Sequence, residues 1–176
     1  MTLTERELWT VIHGLIFGTV FLLAFAGGLA GLWSLRSNWL TADGVHEGAY
    51  RLIAGTWIMA VTAWVTIFFG TYTVYPWYRA KPPAGANLVD YPRSYLLADP
   101  SRSGWHTFAM EWKEHVGWFA PILATAVAFI VLRYGTRLAQ EPKIRQAATV
   151  LFVIAFLAAA IAGVMGAFIS KAAPVR

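Results

Sequence analysis

The chain has 176 residues, 58% of them hydrophobic and 13% charged, with a formal net charge of +5 and no cysteine. A soluble domain carries about a quarter charged residues, so the deficit predicts an apolar outer surface, one that faces lipid. The lack of cysteine excludes disulfides, zinc–thiolate sites, iron–sulfur clusters and haem attached through Cys-x-x-Cys-His; the basic residues sit between apolar segments, where they set orientation and meet headgroups, which excludes nucleic acid as a partner.

The fold class these patterns predict is all-α: an integral membrane four-helix bundle in a single domain, with a long ordered loop between helices two and three. After a short polar start at Met1 to Glu7, the first span covers about residues 8–35, a retained helix rather than a signal peptide. The second covers about 52–75, the third about 105–133 and the fourth about 147–170, each near the roughly 20 residues a hydrocarbon core requires. The third starts polar-faced near Trp105 and turns apolar from Val116 to Leu132. Inside it Pro121 predicts a kink about one turn past Gly117.

Two connections, Ser37 to Tyr50 and Gly135 to Gln146, are short. The third, 76–104, holds Pro76, Pro82, Pro83, Pro92 and Pro100 with Trp77, Tyr78, Tyr91 and Tyr95. Proline limits the freedom of the unfolded chain and aromatics supply burial area, so this loop reads as an ordered cap over one end of the bundle or a docking surface. Trp9, Trp33, Trp39, Trp77, Trp105, Trp112 and Trp118 fall near helix ends, where an aromatic belt places them, while Trp57 and Trp64 lie deeper and read as packing or lipid contacts. Gly14 and Gly18, Gly27 and Gly31, and Gly163 with Gly166 have the spacing that lets helices approach closely in lipid. Arg133, Arg137, Lys143 and Arg145 concentrate in one short loop, which sets loops one and three in the cytoplasm and puts both termini and the long loop outside, in a prokaryotic plasma membrane.

Ionisable groups near a membrane core mark functional positions. His13 lies slightly more than one turn into the first helix, and His115 stands where the third becomes apolar. These helices run in the same direction, so the two imidazoles share a surface and a depth, and could ligate one haem b from its two faces. The face of His13 continues through Phe17, Val20, Ala24, Gly27 and Gly31, rich in small residues and therefore expected inside the bundle. Glu111, four residues before His115, is placed to accept its free ring N–H and fix its tautomer. The other reading of the same residues puts His13 among headgroups and pairs His115 with Glu111 alone.

Trp105 to His115 is the chemically densest stretch. His106 and His115 are nine residues apart and face opposite ways on an unbroken helix. Glu111, His115 and His13, with Glu114 or His106 nearby, make an alternative site for copper, zinc or iron. Lys113 and Glu114 are expected on the polar outer face. His46, beside Glu47, falls in the opposite loop, without a histidine partner on that side. No phosphate-binding glycine motif, nucleophile constellation or selectivity filter is present.

On His13 and His115, the whole chain resembles the small membrane cytochrome b subunits that anchor electron-transfer complexes. The resemblance implies an electron-transfer subunit, not itself an enzyme, with one haem b near one membrane surface. It further implies a neighbouring quinone site, lipid and other subunits of a redox complex as partners, and a peripheral redox protein at loop 76–104. Two-haem members carry two histidine pairs, and this chain offers one. Two other readings stand beside it: a cofactor-free accessory or assembly subunit, and a membrane metal-site protein.

Overall fold

The computed structural model describes residues 2–37 and 39–173. Among these residues it is helical, with no strand. Four helices are long and apolar enough to cross a membrane: α1 (Glu5–Ser34), α2 (Ala42–Arg79), α4 (Pro100–Ala139) and α5 (Pro142–Ala172). A short helix, α3 (Pro92–Leu97), lies in the connection between α2 and α4.

Each long helix overruns its apolar stretch, because capping and ion pairs extend a helix through polar turns that hydropathy does not register. At the start of α1, Thr4 and Glu7 form a reciprocal cap, Glu7 N–H donating to Thr4 Oγ1 at 3.2 Å and Thr4 N–H to Glu7 Oε2 at 2.8 Å. Thr41 opens α2, its hydroxyl accepting from Gly44 N–H at 3.2 Å, and Glu47 pairs with Arg51 one turn on. His46 therefore stands on a helix rather than in a loop. Asp99 caps α4 by accepting from Ser101 N–H at 2.8 Å. Those Ser101 bonds, with Arg102 beside them, hold the Asp99 carboxyl below the usual carboxylate range. Pro142 begins α5 at a position where no N–H is needed.

The chain divides into two compact units. One comprises residues 19–64 and 119–158 and is packed from small and aromatic side chains. Contact geometry and dispersion decide how such apolar helices pack against one another. On α2, Ala49, Leu52, Thr56, Met59, Ala60 and Ala63 are buried, and on α4, Ala120, Ala124, Val127, Ala128 and Val131. On α5, Ala148, Phe152 and Ala155 are fully buried at steps of four and three, one face of a helix. Phe25 stacks on Phe156 at 3.8 Å between ring centroids and on Phe152 at 5.3 Å. The Phe152 ring reaches so close to Gly28 that a Cβ there would sit 2.6 Å from Cζ. The deep Trp64 donates its indole N–H to Thr125 Oγ1 at 3.0 Å.

The packed face of α1 in this unit is Phe21, Phe25, Gly28 and Leu32, not the 17–20–24–27–31 face expected from His13. The reason is a π-helical turn at Ile12–Ile16, which inserts one residue and advances every later position by one. Gly27 consequently faces open space, and the close approaches fall to Gly28 and Gly31, the latter against Leu52. In α4 the helix breaks at Gly117 and Trp118, one turn before Pro121, where proline has no N–H to offer the preceding carbonyl. The guanidinium of Arg145 closes this unit by donating to the carbonyls of Leu35 (3.0 Å), Leu138 (2.9 Å) and Ala139 (3.3 Å), the orphan acceptors of two helix ends.

Gly28→Val overpacks the Phe152 contact and lowers stability by about 1–3 kcal/mol in detergent thermal unfolding; adding Phe152→Leu recovers part of that loss.

Candidate functional site

The other unit comprises residues up to 18, 65–118 and from 159 onward. Its apolar centre is Tyr78, Leu96, Ala109, Ile169 and Ala173, with Tyr75, Tyr95, Trp105, Met110 and Met165 packed against it. Leu96, from α3, is fully buried. Arg102 lies over the Tyr95 ring at 4.1 Å and bonds Asp99 at 2.8 Å. The proline- and aromatic-rich stretch is therefore ordered. Its first residues continue α2 to Arg79 and its last begin α4, so the true connection is 80–99.

Three π-helical turns lie in this unit among the described residues: Ile12–Ile16, Gly70–Val74 and Trp105–Met110. Such turns cost hydrogen-bond geometry and recur at functional sites. Each holds a residue of the site. His13 in the first lies against Gly70 in the second: a Cβ on Gly70 would fall 2.8 Å from the imidazole Cε1 and 3.3 Å from Nε2. Glycine at 70 is what lets the ring rest on backbone. Phe69 stacks on the same ring at 6.2 Å. His106 belongs to the third turn and is 4% exposed.

A hydrogen-bonded chain runs through His106. Arg93, from α3, donates Nε–H to His106 Nε2 at 3.2 Å. Arginine is always a donor, so Nε2 is an acceptor and the ring proton sits on Nδ1. Nδ1–H then donates to Tyr78 Oη at 2.9 Å, and the hydroxyl proton of Tyr78 is turned elsewhere. Tyr78 stacks on Tyr75 at 6.4 Å, and Tyr75 faces the Glu114 carboxylate. Arg79, lying over the Tyr75 ring at 5.1 Å, reaches Glu111 Oε1 at 3.4 Å and Glu114 Oε2 at 3.6 Å. Glu111 and Arg79 side chains are 38% and 39% exposed and Glu114 19%, so the group steps inward from surface to interior.

Two buried side-chain atoms among the described residues have no hydrogen-bond partner: His13 Nδ1 and Glu114 Oε1. Buried polar atoms are otherwise almost always satisfied, and an exception marks a role. The charge acting on the His13 ring comes from Lys113. Lys113 is partly buried, its amine against Gly166 of α5, where a Cβ would overlap Nζ.

The expected site residues are therefore distributed as follows. His115 stands two residues past Lys113, about 200° around the helix, and is exposed. Its Nδ1 bonds the backbone carbonyl of Glu111 at 2.7 Å, not the carboxylate, which turns to Arg79 instead. The edge of His13 that bears Cε1 abuts Gly70. His106 and His115 do face opposite ways. Lys113 and Glu114, expected outside, point inward. Among the described residues no three His, Asp or Glu side chains meet closely enough to hold a metal ion. His46 lines a separate shallow cleft with Ser37, Thr136, Arg137 and Gln140.

Sequence reasoning missed Lys113, Tyr75, Tyr78, Arg79 and Arg93. A signal was present in Tyr75-Pro76-Trp77-Tyr78-Arg79, where two tyrosines and an arginine three or four apart share one face at a helix end. Comparison with known proteins yields no matching family model, no matching curated protein and no matching solved structure.

Tyr78→Phe strands the Nδ1–H of a buried imidazole and costs about 1–3 kcal/mol in thermal unfolding. The pair Tyr78→Phe, His106→Leu costs less than the sum of its single changes, because the second change removes the stranded donor.

Proposed function

We propose that the chain is an integral membrane subunit that carries protons between one membrane surface and a redox reaction inside a larger membrane complex. The observation that carries this is the unsatisfied interior oxygen Glu114 Oε1 at the inner end of a graded set of ionisable groups, with His13 Nδ1 the other such atom in this unit. Buried ionisable groups within membrane-length helices are costly and are kept for ion or proton paths. Glu111 and Arg79 form the exposed mouth, and Glu114 is the inward carboxylate. Its free oxygen can accept a proton without giving up a bond. Tyr75 and Tyr78 extend the group to His106, whose tautomer is fixed by Arg93. A quinone in the same complex would take up or release protons with its electrons, which is the chemistry such a group serves.

A second reading retains haem b. His115 has the bonding of an imidazole prepared for a metal, with Nδ1 committed to the Glu111 carbonyl and the ring exposed. Bound there, haem would supply one-electron transfer, with His115 the residue of this chain that would hold it.

Infrared difference spectra of the detergent-purified protein across a pH step test the first reading. A carboxyl band that appears as pH falls, shifts in heavy water and is lost in Glu114→Gln but kept in Glu111→Gln is the expected result; a band set untouched by Glu114→Gln contradicts it. A dithionite-reduced minus oxidised visible spectrum, with a pyridine haemochrome assay, tests the second. That reading expects b-type bands lost in His115→Ala and kept in His13→Ala, and a flat spectrum from protein purified with haem supplied removes it.

A further inference from the structure

A narrow, partly open cleft lies in the unit of 65–118, walled mainly by apolar side chains such as Val74, Met110 and Ile169. Lys113 and Arg6 line it, and Asp90, an exposed residue, is its carboxylate. Among the described residues no Asp or Glu oxygen comes within 4 Å of Lys113 or Arg6. The carboxylate next in sequence to Lys113, Glu114, is turned to Arg79.

An ammonium partly withdrawn from water, beside apolar walls and with no carboxylate in reach, is costly to hold. The chain nevertheless makes room for it. Gly166 of α5 leaves the space that Nζ occupies, and a side chain there would require the amine to shift. Space made for a charge, with apolar walls beside it and no internal partner, describes half of an ion pair.

We infer that this cleft binds an amphiphile with one oxyanion head, the head pairing with the Lys113 ammonium and the tail lying along Val74, Met110 and Ile169. A neutral occupant would fill the space and leave the charge unmatched. Two sources have this chemistry: a free fatty acid with its carboxylate, and an anionic phospholipid with its phosphate. The inference is independent of the proton-carrying reading, which rests on Glu114 and His13.

The test is titration of delipidated protein in a neutral detergent with three probes: dodecanoate, its methyl ester and a short-chain phosphatidylglycerol, read by native mass spectrometry and calorimetry. An anionic probe binds at about one per chain, and the ester, with the same tail and no charge, binds at least about tenfold more weakly. Dodecanoate the tighter binder identifies a fatty acid; phosphatidylglycerol the tighter identifies a membrane lipid. Lys113→Met loses about tenfold or more in affinity for the anionic probe, and Gly166→Ala weakens it by displacing the amine. Equal affinity for acid and ester, no binding of either anion, or wild-type affinity in Lys113→Met overturns the inference. The ester comparison needs no variant, so a folding defect in Lys113→Met does not blunt it.

Discussion

A buried polar group has no water to turn to, so its partner must come from the protein or from something the protein binds. That requirement explains the arrangement of the unit built from 65–118 and the chain's two ends. His106 is satisfied on both ring nitrogens, by Arg93 and Tyr78. Arg79 is shared between Glu111 and Glu114. What remains is His13 Nδ1 and one oxygen of Glu114, which have no hydrogen-bond partner, and the ammonium of Lys113, which has no carboxylate within 4 Å among the described residues. These three are the groups for which packing alone gives no account, and they are where function is placed.

The π-helical turns make that arrangement possible. A continuous α-helix repeats its faces every seven residues or so, and one extra residue moves the face by about 100°. The turn at Ile12–Ile16 lets His13 rest on Gly70 while Phe21, Phe25 and Gly28 form the packed face that follows it on α1. The turn at Trp105–Met110 places His106 in the interior ahead of a regular segment on which Lys113 and Glu114 face in and His115 faces out.

This also accounts for what the sequence discloses and what it hides. Four apolar stretches announce four long helices, because length and hydropathy are local properties. The break near Pro121 is legible for the same reason: it follows from one missing N–H. The polar ends of the helices are less legible, since Thr41, Asp99 and Pro142 extend them by capping that hydropathy ignores. The chemistry of Trp105 to His115 is visible as a concentration of residue types, but its inward face is not. Periodicity projected from His13 through an unbroken helix selects Gly27 where the structure uses Gly28, and assigns Lys113 and Glu114 to the surface. The bond between Tyr78 and His106 joins residues 28 apart and leaves no local trace. Arg145, which reads as a loop charge setting orientation, spends its guanidinium on three carbonyls.

The central claim is that α4 turns Glu114 and Lys113 inward while Glu111 stays at the surface. The chain contains no cysteine, so a single introduced thiol reports without background. The most direct measurement is the rate at which a membrane-impermeant maleimide labels Glu111→Cys, Lys113→Cys and Glu114→Cys in vesicles that expose this end of the helices. The account predicts rapid labelling at Glu111→Cys and rates at least about tenfold lower at the other two, as burial of a thiol requires. Equal labelling at all three positions would contradict it, for then the polar residues of α4 would face water and neither a proton path nor a buried ammonium would exist.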